Sequence, residues 1–300
     1  MVLNKEMCDL VLNSKKMCTI YDESYVILKK RMPVTDDKLE WYVSSLNNLK
    51  NSGVSIAPIV DYTLLPETKK SYNVGSYTEG IFLEERAKGN SLNSNSIYLR
   101  VNNDYDFNGV ISDYLRMVLE YIEELELRAE ASLDVYTKFI KDCNSVAETG
   151  LMIDPKPLNF FFDKDLGYTI IDVIEGNDNS LEHYVKYFPQ SMFIMVFGYG
   201  KPKMYIDFKD VSVLPQDMLE RLNKAGRKLE AKIVAALRKF NFSEEAIKEA
   251  ALKNRFRYES ESPVVEIDEM ENYIAQEFME LKSKIKPTSK EESDSFIIFA

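Results

Sequence analysis

From Asp154 to Asp172 the chain reads DPKPLNFFFDKDLGYTIID, and no other stretch constrains the fold as strongly. Two apolar runs of strand length flank a turn at Asp163 to Gly167, so the spacing predicts a β-hairpin. Asp154, Asn159 and Asp172 share neither a helical nor a strand period with it. A hairpin that only filled a core would not require them. The plain alternative is a proline turn with solvated polar neighbours.

Upstream, short strand-like runs alternate with one helix. CDLVLN and MCTIYD are expected to pair around Ser14-Lys15-Lys16, and SYVILKK reads as a third strand. Pro33 ends that strand. Thr35 can cap a helix whose first turn carries Asp36 and Asp37, where carboxylates suit the helix dipole. Leu39, Val43, Leu46 and Leu49 share one face of it, with Trp41 and Tyr42 read as packing, and Asn51-Ser52-Gly53 stops it. VSIAPIVDYTLL and GIFLEERA supply two more strands. The expectation for residues 1–88 is a small lobe of five strands and one main helix, within an α+β fold.

Past Gly89 the pattern changes. GNSLNSNS is linker-like, and LRVNNDYDFNG reads as irregular. Tyr114, Val118, Ile122 and Leu125 then mark one helix, and Leu133, Tyr136, Ile140 and Cys143 a second that ends at Thr149-Gly150. Beyond the hairpin come a short apolar run at Ser191 to Phe197 and a long helix striped by Leu219, Leu222, Leu229, Ile233 and Phe240. Two further helices are expected near Ser243 to Lys253 and Ile267 to Lys284. Residues 89–285 are thus expected to form a larger, mainly helical lobe, and 286–300 a disordered tail.

Charge and composition narrow the function. A net charge of −11 argues against general affinity for nucleic-acid backbones. No window approaches the length of an apolar membrane span. Three cysteines at unrelated spacings supply no disulfide framework or zinc pattern, which points to a reducing cytoplasm. The single histidine, His183, is expected at the surface, so His-based triads have little to work with.

Asp154-Pro155-Lys156-Pro157-Leu158-Asn159 resembles the D-x-K-P-x-N catalytic loop of the protein-kinase-like superfamily. Asp172, thirteen positions after Asn159 and beyond an apolar hairpin, stands where that family carries the metal-binding Asp of D-F-G. YVILK is similar to the third-strand V-A-I-K motif, and its spacing places Lys29 at the phosphate-pairing lysine; strand alternation sends Lys30 to the opposite face. IFLEERAKGNSL looks like the fifth strand and hinge, with Glu85 to Ala87 at the adenine edge and Glu84 at the gatekeeper position. The resemblance spans about residues 10 to 180 and extends to aminoglycoside and choline kinases.

It implies a two-lobe kinase-like fold acting on ATP with Mg²⁺. Asp154 would accept or orient the acceptor's hydroxyl proton, and Lys156 would neutralise the γ-phosphate. Asn159 and Asp172 would hold the metal through hard oxygen ligands. Lys29 would hold the α- and β-phosphates, steadied by Glu40 on the first helix, while Glu85 and Ala87 bind the base. The acceptor implied is a protein Ser/Thr hydroxyl. A small-molecule hydroxyl of the aminoglycoside or choline kind is the alternative, with no nucleic-acid or membrane partner.

Several parts of the pattern are missing. The turn Asn13 to Met17 lacks glycine, His-Arg is replaced by Met152-Ile153, D-F-G reads Asp172-Val173-Ile174, and no A-P-E follows. A catalytically inactive scaffold, or transfer of AMP instead of phosphate, are the rival readings that these losses motivate.

Overall fold

The computed structural model describes residues 1–13, 18–32, 36–65, 78–92, 96–176, 180–211, 213–254 and 265–285. The turn residues Ser14 to Met17, Pro33, Thr35, the His183 side chain and the tail 286–300 lie outside the described residues. The elements form a mixed α/β structure. Among the described residues, no helix is long and apolar enough to cross a membrane.

The chain opens with α1 (Lys5–Leu12), then β1 (Cys18–Ile20), β2 (Tyr25–Met32), α2 (Asp36–Asn51), β3 (Ile59–Leu64) and β4 (Thr78–Glu85). One antiparallel sheet of four strands results, in the order β1-β2-β4-β3. The expected first strand, CDLVLN, is part of α1 instead. Asn4 caps that helix by accepting from the Met7 amide, and Met7 and Val11, four residues apart, both bury. A helical period outweighs the β-branched content of a run this short.

The register of β2 against β4 decides what each sheet face carries. Ile27 faces Leu83 and Lys29 faces Ile81, while Leu28 faces Phe82 and Lys30 faces Gly80. Ile27, Ile81 and Leu83 pack under α1 with Met7 and Val11. Phe82 belongs to the main core, together with Leu39, Tyr42, Leu46 and Leu49 of α2. Lys29 and Lys30 therefore point to opposite layers.

Next come β5 (Asn90–Ser91), β6 (Ser96–Leu99), α3 (Phe107–Glu130), α4 (Leu133–Glu148), β7 (Leu151–Ile153), β8 (Phe160–Asp163), β9 (Gly167–Ile170) and β10 (Val173–Glu175). The predicted hairpin is β8–β9, with Phe160 opposite Ile170 and Asp163 opposite Gly167. Asp163 accepts from the amides of Asp165 and Leu166, which closes the turn. Phe139, Phe160 and Tyr168 pack their rings against one another beneath it.

The remainder is α5 (Ser180–Phe197), β11 (Lys203–Ile206), β12 (Lys209–Val211), α6 (Gln216–Lys239), α7 (Glu244–Lys253) and α8 (Met270–Lys284). Between the linker-like and the irregular stretches lies β6, which runs parallel to β11. Gly89 draws the connection between the sheet and the helical part tightly onto β8. It has φ +87°, and a Cβ there would stand 1.9 Å from the Phe162 carbonyl oxygen.

Candidate functional site

β7 and β10 set the site's geometry. They pair antiparallel, Ile153 opposite Val173, so that Asp154 leaves this ladder where Asp172 enters it. The loop after β7 is fixed by its own backbone. The Lys156 amide donates to the Asp154 carbonyl at 2.7 Å, and the Asn159 amide donates to the Lys156 carbonyl at 3.0 Å. Buried Asn159 also donates its Nδ2 to the Asp154 carbonyl at 3.1 Å, which leaves Oδ1 as the free end of the amide. The Ile171 amide bonds the Asn159 carbonyl at 3.0 Å, joining this loop to the one that carries Asp172.

Asp172 itself has φ +57°, a left-handed backbone that a non-glycine residue rarely adopts. Its side chain remains 47% exposed. Such strain beside a polar cluster is a mark of functional sites. Lys156 Nζ lies 2.6 Å from Asp154 Oδ2, and the hydrogen bond to Asp154, with Asp172 further off, holds the ammonium above its ordinary pKa.

The lysine that reaches this cluster is Lys30. Its Nζ stands 2.5 Å from Glu84 Oε1 and 3.5 Å from Asp172 Oδ1. Lys29, proposed from motif spacing, instead shares the α1 side of the sheet with Ile27 and Ile81. One residue of offset in a strand exchanges the two faces. Glu40, expected to steady the lysine, is exposed on α2, and the carboxylate on Lys30 is Glu84 of the neighbouring strand.

Solved structures similar to this chain include two kinds of kinase or phosphotransferase. One is a specific rhoptry antigen kinase domain from Toxoplasma gondii, at 10% identity over 87% of this chain and 76% of that one, with a TM-score of 0.28. The other is an aminoglycoside phosphotransferase from Alicyclobacillus acidocaldarius subsp. acidocaldarius, at 11% identity over 88% of this chain and 93% of that one, with a TM-score of 0.24. No protein-family model and no curated protein sequence matches the chain.

Burial lowers the Lys30 pKa, but the Glu84 and Asp172 carboxylates more than offset it, and the ammonium ends above its ordinary range. Burial raises Glu84, against the pull of Lys30. Tyr42 of α2, not foreseen as functional, donates its hydroxyl to the Val173 carbonyl, directly after Asp172. Burial first, then Glu84 and Asp172, push its phenol far up, so it stays a donor. Lys38 of the same helix pairs with Glu175 at the far end of β10.

At the expected adenine edge, the Glu85 amide donates to the Pro58 carbonyl at 3.2 Å and the Arg86 amide to the Ser24 carbonyl at 2.7 Å. The Glu85 carboxylate pairs with Lys50 at 2.9 Å. Glu85 is therefore committed to the fold through both its amide and its side chain, which leaves Ala87 as the candidate carried forward. The donor set suits Mg²⁺: one exposed carboxylate and one amide oxygen are hard ligands, and this ion keeps several waters.

Proposed function

We propose that this chain is an ATP- and Mg²⁺-dependent phosphotransferase of protein-kinase-like architecture. The observation that carries the reading is the approach of Lys30, from the sheet, to the half-exposed Asp172, which precedes the strand paired with the one leading into Asp154. A merely structural ion pair would not need Asp172 in a strained backbone with half its side chain in solvent.

In this reading the β1–β4 sheet with α2 is the nucleotide lobe, residues 1–88, and residues 89–285 form the acceptor lobe. Lys30 holds the phosphates in the role first given to Lys29. Asp172 and the Oδ1 of Asn159 hold the metal, and the Ala87 amide meets the base. Bound Mg²⁺ would neutralise charge that develops on the phosphate oxygens. Asp154 orients the acceptor hydroxyl and takes its proton as the new P–O bond forms and the bond to the ADP oxygen breaks. Lys156, already on Asp154, is placed to offset charge on the transferring group. The acceptor proposed is a protein Ser/Thr hydroxyl, on the likeness of the Asp154–Lys156 pair to protein kinases. Cys8, Cys18 and Cys143 are all free thiols, which suits the ATP-rich, reducing cytoplasm.

Mass spectrometry after incubation with ATP and Mg²⁺ tests this, using the full chain, a generic Ser/Thr protein substrate and an aminoglycoside as acceptors. One added phosphoryl group on a protein, lost in Asp172→Ala and Asp154→Ala, supports the reading. Transfer to the aminoglycoside alone would redirect the acceptor to small molecules, and an AMP-sized addition would replace the chemistry. Absence of nucleotide binding would overturn it in favour of a scaffold.

A further inference from the structure

We propose, resting on the phosphotransfer reading, that Glu84 and Tyr42 are the positioning residues of this site. Glu84 sets Lys30 from within the sheet and Tyr42 ties the Val173 carbonyl, one residue past Asp172, to α2, so that the lysine takes its carboxylate from the sheet and not from Glu40. Swinging Glu40 on and off the lysine is then not needed to assemble the site.

Both members of the Lys30–Glu84 pair belong to one antiparallel ladder. Val26 faces Glu84 and Lys30 faces Gly80, so lysine and glutamate lie on the same face four positions apart along the strand pair. The lysine stem spans that interval to a 2.5 Å contact. Their spacing is set by backbone hydrogen bonds that hold whatever α2 does. Glu84 is buried, and the cost of burying its carboxylate is reduced by the Lys30 cation paired with it. Lys30 keeps Asp172 at the longer distance of 3.5 Å, where a phosphate oxygen could take its place.

α2 acts on the site through β10. Glu40 is exposed, while Tyr42 is buried among core residues and its hydroxyl holds the Val173 carbonyl. Lys38, one turn earlier, holds Glu175. These two contacts grip β10 at both ends, and β10 in turn pairs with the strand that leads into Asp154. The strained Asp172 backbone thus leans on a tyrosine anchor rather than on a glycine hinge.

Calorimetric titration of the full chain with ATP, at several Mg²⁺ concentrations, separates these roles. Glu84→Gln keeps shape and removes charge, and is expected to weaken ATP binding about tenfold at saturating Mg²⁺. Tyr42→Phe removes one hydroxyl, and is expected to raise the Mg²⁺ concentration for half-maximal binding about threefold while binding recovers at saturating Mg²⁺. A purely structural tyrosine would lower the melting temperature and leave that Mg²⁺ midpoint in place. Glu40→Gln is expected to match wild type on both readouts. Wild-type values in Glu84→Gln and Tyr42→Phe, or a loss in Glu40→Gln, would overturn the inference while leaving phosphotransfer standing. Failure of the wild type itself to bind ATP would bring down both.

Discussion

Two charged clusters in this protein differ in what they have left to offer. Arg128 on α3 is fully buried, and each of its three side-chain nitrogens is engaged. Nε meets Glu124 at 3.1 Å, one terminal nitrogen meets the Val196 carbonyl at 2.7 Å and the other meets the Asn90 carbonyl at 3.0 Å. Phe160 and Phe162 cover its plane. The Asn90 side chain caps the second Glu124 oxygen at 3.3 Å. Lys30 is only partly screened, holds one carboxylate tightly and another loosely, and faces the strained, half-exposed Asp172. A saturated cluster binds a fold together; an unsaturated one can exchange a partner for a ligand. Both are buried or half-buried charges, so burial alone does not distinguish them. Remaining hydrogen-bond capacity does.

Breaking the saturated cluster should have the largest effect. Arg128→Met strands the Glu124 charge and the Val196 and Asn90 carbonyls, and is expected to cost about 3–5 kcal/mol of folding free energy in urea titrations. Adding Glu124→Leu should restore part of it, since the stranded carboxylate goes too. The unsaturated cluster should behave in reverse. Asp172→Gly relieves a left-handed non-glycine backbone and is expected to stabilise the fold by about 1 kcal/mol, while Mg²⁺-dependent ATP binding is lost. A destabilised Asp172→Gly would mean that the carboxylate serves the fold.

A third group sharpens the distinction. Lys201 is buried, which draws its ammonium down to about 7, with Asp210 partly opposing. Above that value the folded chain binds fewer protons than the unfolded chain until lysine's ordinary range is reached, so stability rises with pH across the window. Below it the full cost of burying the charge is present. Lys201→Met should therefore raise the melting temperature by a few degrees at about pH 6 and by less at about pH 10. An equal gain at both pH values would show that packing, not charge, is the source.

How legible this was in the sequence depended on the range of each contact. The Asp154–Asn159 loop, the β8–β9 hairpin and Asp172 could all be read because they lie close together, and because polar residues stand out in an apolar stretch. The long helices followed from their stripes. Lys29 and Lys30 differ by one strand position, and spacing alone could not say which face meets Asp172, because α1 covers the other face with its own small core. That same helix hid in a segment too short to tell a period of two from one of 3.6, although Asn4 as a cap was a usable signal. Glu84 stood out as an acid in an apolar strand, but its partner depends on the β2–β4 register, which only the folded chain reveals. Tyr42 offered a weaker hint: a tyrosine in the buried stripe with Leu39 and Leu46 needs a partner for its hydroxyl. The β6–β11 pairing joins segments far apart in sequence and left no local mark.

The central claim is that the unsaturated cluster around Lys30 is a nucleotide phosphate site. Its most direct test is calorimetric titration of Lys30→Met and Lys29→Met with ATP and Mg²⁺, beside the wild type. The account predicts that Lys29→Met binds as the wild type does and that Lys30→Met loses binding by about a hundredfold, as expected for a charge-assisted contact to phosphate. Equal binding by all three proteins, or a loss confined to Lys29→Met, would contradict it.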